Sequence, residues 1–436
     1  MPLDTIHQKV LSYPSKLGRW TDYSRFWCFL MSDIKAQRAY IRELASQVAE
    51  VAASQENELI RHRWRDVNAL RKPDRAPVWC RPVGAWAELL PEESLRCSDP
   101  WLRSLEGDFR RTLIKHAIGD DSPVEPYSPV PAAFDCDPPN IWGLEIKHHQ
   151  PDDPKGAWTF DPPLRDPADY ERLRLPRFTY NEPKTQEALS RAHDLLEDIL
   201  PVKRVCGAPL DAILGTAAAE LRGLAQMMMD MVDQPALMHR LMTHLRDGVL
   251  QAMRQVEESG LLTPNNSGSM ICSDPFGPPP ADGHYTYKNL WVMSNSQEFD
   301  QVSPAMWQEF CLNYQMPIIR QFGLAAYGCC ENLTHKIEGV LTIPNLRIFV
   351  SSAWTNLDRV IERVGDRYVI MWRQKASEVV FAEDPAALKR DLEEGMRRLR
   401  GCYVQIVLRE LQTLAGHPDR LHVWTRLAQE VAAKYA

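Results

Sequence analysis

Apolar and polar positions divide the chain into regions of different periodicity. From Ser32 to about Leu70, "SDIKAQRAYIRELASQVAEVAASQENELIRHRWRDVNAL" repeats apolar residues at mixed three and four spacing, without proline or glycine, behind a Ser-Asp start. That pattern predicts a long helix, broken at most once. "RKPDRAPVWCRPVGAW" then turns through prolines into the apolar run Pro77 to Cys80, which predicts a first buried strand. Residues 1–70 are therefore read as an N-terminal helical extension and 71–436 as the main domain. "CSDPWLRSLEGDFRRTLIKHAIGDD" predicts a helix capped by Ser98 with Pro100 in its first turn.

Residues 120–183 are crowded with Pro, Asp and Tyr, the composition of extended segments and long loops. Helical spacing returns in "KTQEALSRAHDLLEDIL" and across "LRGLAQMMMDMVDQPALMHRLMTHLRDGVLQAMRQVEESG", with a second helix starting at Pro235. The run Met227 to Met229 reads as core filler. After Gly260, short apolar runs alternate with helical stretches: "GSMICSDPF", "NLWVMSNSQEF", "LAAYGCCE", "LRIFVSSAW", "YVIMWRQKAS" and "CYVQIVLREL". Alternation over this length predicts an α/β fold on a parallel sheet, open or closed.

If the sheet closes, residues just after each run converge on one mouth. The mouth would collect Cys272, Ser273 and Asp274; Asn295, Ser296, Gln297 and Glu298; Cys329, Cys330 and Glu331; Ser351, Ser352 and Trp354; Trp372 and Arg373; and Glu410.

Composition narrows the ligand classes. With 44% hydrophobic and 25% charged residues among 436, the chain holds material for a substantial core. A net charge of -7 offers no basic stripe for nucleic acid. No run of about 18 uncharged apolar residues occurs, and the first 16 residues lack a leader pattern, so a cytoplasmic protein with no membrane partner is expected. Ten cysteines without small-domain spacing fit free thiols. No phosphate-binding G-x-x-x-x-G-K-[ST], G-x-G-x-x-G or G-x-S-x-G pattern occurs, which disfavours nucleotide cofactors and serine hydrolysis.

The stretch "GLAAYGCCENLTHK" carries the most chemistry. Thiolates with carboxylates or imidazole are zinc ligand types. Adjacent cysteines on a straight strand face opposite ways, so one of Cys329 and Cys330 is expected at the mouth and the other behind it. A disulfide between them is not expected in a reducing compartment. The packing alternative has both filling a strand-to-helix corner with Glu331 at the helix amino end. His148, His149, His284, His335 and His417 read as solvated or satisfied.

Three stretches resemble the uroporphyrinogen decarboxylase superfamily, including its cobamide-dependent methyltransferase branch: "APVWCRPVGAWAELLP", "DMVDQPALMHRLMTHLRDGVLQAMRQVEESG" and "FDQVSPAMWQEFCLNYQMPIIRQFGLAAYGCCENL". The resemblance runs from about Arg71 to the C-terminus and implies a (β/α)8 TIM barrel. It places Cys329 on the family's zinc-ligand cysteine and Tyr327 where the family has a histidine. The second substrate-binding arginine of the decarboxylases is missing, with Ala85 and Trp86 near its place, which disfavours porphyrinogen binding.

The resemblance thus implies a zinc-assisted methyltransferase that exchanges a methyl group between a small methylated substrate, a methyl ether or methylamine, and cob(I)amide on a corrinoid partner protein. Cys329, Cys330, Glu331 and His284 are the candidate metal ligands. Glu298, Glu410 and Tyr327 are the candidate catalytic residues. Trp354, Trp372 and Asn295 would contact the cofactor, and the segment Asp135 to Pro167 would form the rim. The alternatives are a cofactor-free, decarboxylase-like lyase and a non-catalytic binding barrel. A homodimer docked through the helix Ser32 to Leu70 stays open.

Overall fold

A computed structural model describes residues 33–149, 159–382 and 384–436. The leader reading, the start of the N-terminal extension and part of the expected rim lie outside them. Residues 33–70 form two helices, Ile34–Ala52 and Gln55–Asn68. The break is sequence-encoded, because Ser54 turns out of the first helix and its hydroxyl oxygen accepts from Asn57 N at 3.1 Å, capping the second. In the helix Pro100–Ile118 the cap is Asp99, whose carboxylate accepts from Trp101 N and Leu102 N. Ser98, the expected cap, instead accepts from Gln37 Nε2.

Twelve strands are formed among the described residues: β1 (Val78–Pro82), β2 (Ser128–Pro131), β3 (Phe134–Asp137), β4 (Lys147–His149), β5 (Thr159–Asp161), β6 (Arg177–Tyr180), β7 (Val202–Val205), β8 (Trp291–Ser294), β9 (Leu324–Tyr327), β10 (Leu346–Ser351), β11 (Val369–Gln374) and β12 (Tyr403–Leu411). Six make one curled sheet, in the order β1-β12-β11-β10-β9-β8, with every pairing parallel. β2 and β7 form a separate parallel pair. The α/β expectation holds. The eight-stranded ring is met only in part, since the β2–β7 pair, which falls between β1 and β8 in chain order, is not hydrogen-bonded to either.

Side chains seal the two sheet edges that this leaves. On β1, Val78 N donates to Asp121 Oδ2 at 2.7 Å and Cys80 N donates to Asp120 Oδ2 at 2.8 Å, while Asp121 N donates to Val78 O. On β8, Trp291 N donates to Asn265 Oδ1 and Asn265 Nδ2 returns a bond to Trp291 O at 2.9 Å. Carboxylate and amide groups here take the place of a neighbouring strand, which removes the exposed ladder that invites aggregation. A cleft lined by Tyr127, Phe134, Phe178 and Cys206 opens between β7 and the segment carrying Asn265.

Alternation along the strands splits the core in two. Val292, Ala325, Tyr327, Phe349, Ile370, Ile406 and Leu408 face the surrounding helices. Trp291, Ala326, Ile348, Val350, Val369, Met371 and Val407 face inward, and the helix Gln55–Asn68 joins them through Ile60, Trp64 and Val67. That helix closes the amino end of the sheet. Trp64 Nε1 donates to Asp121 O at 2.6 Å, Asn68 Nδ2 donates to Met270 O and Cys272 O, and Gln405 Nε2 donates to Asn68 Oδ1.

One expected strand is absent: "GSMICSDPF" is a turn followed by irregular chain. Its apolar residues serve the floor, and Trp291 Nε1 at the start of β8 donates to Ser273 Oγ at 3.0 Å. Cys272, Ser273 and Asp274 therefore sit at the end of the sheet opposite the mouth. The methionine run is split as well, with Met227 buried and Met229 exposed. No helix among the described residues is long and apolar enough to cross a membrane.

Asp121 is also the carboxylate on which Arg75 and Arg63 converge, at 2.5 and 3.1 Å. Replacing it by alanine leaves Arg75 without a carboxylate partner, Arg63 with Asp74 alone, and β1 unsealed. Asp121→Ala is expected to cost about 3–5 kcal/mol, read as a fall in the urea midpoint. An unchanged midpoint would show that this edge needs no seal.

Candidate functional site

The carboxyl ends of the central strands bring four polar side chains together. β9 ends at Tyr327, and Gly328 then turns the chain with φ of +112°, a conformation that glycine alone adopts without strain. A side chain there would also press within about 3.0 Å of Val350. Because the strand has ended, the opposite-face rule no longer governs Cys329 and Cys330. Their sulfurs lie on the same side, 3.7 Å apart.

Glu410 reaches the same place through an irregularity in β12. Cys80 of β1 pairs with Leu408 and Pro82 with Leu411, so the single residue Arg81 stands opposite both Arg409 and Glu410. Such a bulge re-aims a side chain that strict alternation would send the other way. Glu410 therefore faces inward, where Arg81 from β1 and Arg373 from β11 both donate to its Oε1. Its Oε2 faces Cys330 Sγ at 3.8 Å and Arg409 Nε at 3.9 Å.

Arg373 Nη1 also reaches Cys329 Sγ at 3.4 Å. One sulfur from each cysteine and one oxygen of Glu410 lie within 4.8 Å of one another.

The electrostatics distinguish the two thiols. The Cys330 S–H beside it and the Arg373 guanidinium hold the Cys329 thiol down, to about 6, against the opposing effect of burial. Cys330 is pushed up, by its bond to Cys329 and by burial. Its hydrogen has two acceptors, the Cys329 sulfur and Glu410. Burial alone would raise Glu410, yet Arg373 and Arg81 bring its carboxyl below the usual range, so it stays ionised.

Two sulfurs and a carboxylate oxygen are ligand types that zinc accepts, and three protein ligands leave a fourth position open. The fit does not require the arginines to leave. Both donate to Oε1, so Oε2 is the oxygen left for a metal, and a hydrogen-bonded ligand carboxylate is the usual outer-shell arrangement.

The other residues singled out from sequence stand elsewhere. Glu331 is buried, its Oε1 accepting from Ser296 N at 2.8 Å and its Oε2 from Cys329 N at 2.9 Å. It ties the loop after β8 to the cysteine loop and directs no oxygen at the thiols. Tyr327 is fully buried on the outer face, its hydroxyl donating to Gln315 Oε1 and its ring edge-on to Trp307. The Trp372 ring is also on the outer face, against Gly395.

Glu298 turns outward too and accepts from Thr216 Oγ1 at 2.6 Å. Asn295 is buried, its carbonyl oxygen accepting from Gln315 Nε2. His284 is exposed near Asp282 and packs beside Gly260. Trp354 is 56% exposed with Lys375 over its ring. Arg81 and Arg409 were not anticipated. "CRPVG" gives no sign of Arg81's direction, and the charged pair breaking the apolar run in "IVLREL" is the only trace of the bulge.

No protein-family model matches the chain, and no curated protein matches it either. Among solved structures, a methyltransferase from Methanosarcina mazei aligns with 11% identity and a TM-score of 0.47, over 85% of this chain and 98% of that one.

Iodoacetamide reads the thiol assignment directly. In full-length protein treated with chelator, Cys329 alkylation is expected to rise with pH around about 6, because the thiolate is the reactive form and dominates above its pKa. Arg373→Met should move that midpoint toward the ordinary thiol value of about 8.5. A wild-type midpoint already at the ordinary value would rule out a stabilised thiolate.

Proposed function

We propose that the protein is a methyltransferase whose centre is Cys329, Cys330 and Glu410, holding zinc and exchanging a methyl group between a small methylated substrate and the cobalt of a corrinoid carried by a partner protein. The observation that carries this reading is the convergence of two sulfurs and one carboxylate at the carboxyl end of a parallel sheet. In barrels of this kind the reacting groups occupy that end. We take the fold as a (β/α)8-type barrel in which the β2–β7 pair occupies the second and third places, with residues 1–70 as an extension whose helix Gln55–Asn68 plugs it.

Zinc bound here would supply Lewis acidity toward the heteroatom that gives up methyl, or lower the pKa of an acceptor thiol. The chain's own residues set the conditions. Arg81 and Arg373 fix the Glu410 carboxylate and keep it ionised, so it serves as a ligand and not as an acid. Glu331 fixes the Cys329 backbone. The ligand set would carry three negative charges, and the single charge a divalent ion leaves over is more than offset by the two guanidinium groups.

Room for a large partner is supported by the apolar residues exposed near the carboxyl ends: Val83 after β1, Met293 in β8, Trp354 after β10 and Phe381 beyond β11. The three arginines about Glu410 favour a second reading, a metal-free lyase acting on a carboxylated substrate. It predicts activity that survives chelation.

Metal analysis of protein purified without chelator should give about one zinc per chain, lost in Cys329→Ala. Mixing with reduced cobalamin and a panel of methyl ethers and methylamines should produce the methylcobalamin spectrum. Protein free of zinc and inert toward reduced cobalamin would sink the proposal. Arg81→Met should weaken zinc binding about 10–100-fold through the loss of an outer-shell bond, while far-ultraviolet circular dichroism stays unchanged.

A further inference from the structure

We infer that Cys329 and Cys330 form a peroxide-oxidised dithiol, with Cys329 the attacked sulfur and Cys330 the resolving one. This goes beyond methyl transfer and does not depend on it. Sequence adjacency suggested opposite-facing thiols, but the turn at Gly328 puts both on one side with their sulfurs 3.7 Å apart. Both are half-buried, as is Cys136, whose thiol donates to Pro138 O, whereas Cys80, Cys97, Cys206, Cys272, Cys311 and Cys402 are buried. Oxidation-sensitive cysteines are accessible thiolates placed next to a resolving thiol.

The neighbours assign the roles. Arg373 Nη1, 3.4 Å from Cys329 Sγ, stabilises the thiolate there. Cys330 Sγ faces Glu410 Oε2 at 3.8 Å, a carboxylate that accepts from its S–H and holds that thiol beside Cys329.

The chemistry balances with hydrogen peroxide as oxidant. The Cys329 thiolate attacks one peroxide oxygen, an S–O bond forms, the O–O bond breaks and hydroxide leaves. That hydroxide takes the Cys330 proton and becomes water. The Cys330 sulfur then attacks Cys329, the S–S bond forms, the S–O bond breaks, and the second hydroxide leaves to become water with the proton that Cys329 had released. Two thiols lose two electrons in total, and one peroxide becomes two waters.

Covalent geometry makes the product reversible. Successive Cα atoms are about 3.8 Å apart across a trans peptide, short of the usual disulfide span of about 4.4–6.8 Å. A bond closed in so small a ring is strained, and strained disulfides are the readily reduced, regulatory kind.

The test treats the full-length protein with hydrogen peroxide, once as purified and once after chelation, and maps its peptides by mass spectrometry. The peptide containing Cys329 and Cys330 should lose two hydrogens, regain them with dithiothreitol, and account for a loss of two titratable thiols. Cys330→Ser should halt at a sulfenic acid on Cys329 that dimedone traps, and Cys329→Ser should leave Cys330 unoxidised. An unchanged peptide, or irreversible oxygen addition in the wild type, overturns the inference. So does equal oxidation of Cys330 in Cys329→Ser. Zinc content and methylcobalamin formation are separate readouts, so a failed methyltransferase reading leaves this outcome legible.

Discussion

Two guanidinium groups, Arg81 from β1 and Arg373 from β11, meet on one oxygen of the Glu410 carboxylate on β12. The Arg373 side chain is only 3% exposed, and a charge so deeply placed persists only while it is paired. The pair in turn needs the bulge, because without the extra residue Glu410 would point at the surrounding helices. One added residue in one strand thus decides whether the centre holds a compensated ion network or an isolated cation. The ionised state of Glu410 and the free oxygen left for a metal follow from that arrangement, while the Cys329 thiol is lowered first by the Cys330 S–H and then by Arg373.

The frame around this network is held by polar side chains as much as by apolar packing. Asp120 and Asp121 on one edge and Asn265 on the other complete hydrogen bonds that a closed ring would make between strands. Asn68 does the same on the floor, bridging the helix Gln55–Asn68, the loop at Met270 and the inner face of β12 through Gln405. Buried groups of this kind specify position because each one left unmatched costs about 1–3 kcal/mol.

Much of the fold was legible because burial on both faces writes continuous apolar runs into parallel strands, and "LRIFV", "YVIMW" and "CYVQIVL" each became a strand. The run in "GSMICSDPF" misled because a floor segment buried under a helix has the same composition as a strand. At the site, the convergence of Cys329, Cys330 and Glu410 could be read from their positions just after apolar runs. Direction could not. Tyr327 and Trp372 stand in the right places along their strands but on the outer face, and Glu410 is turned inward by a register shift that no local pattern announces. Glu331 has the right chemistry beside the thiols, yet two backbone N–H groups claim its oxygens.

The helix under the sheet has a kinetic meaning. Trp64, buried beneath the inner cluster and hydrogen-bonded to Asp121 O, bars passage through the amino end. If the proposed transfer occurs at the thiols, its reactants would come from the carboxyl side or through the cleft beside β7, and not from beneath this helix. Two molecules sharing one approach compete for the same space, and whichever seats first fixes the room left to the second. For the proposed transfer, the helix would thus bear on order of binding without touching either reactant.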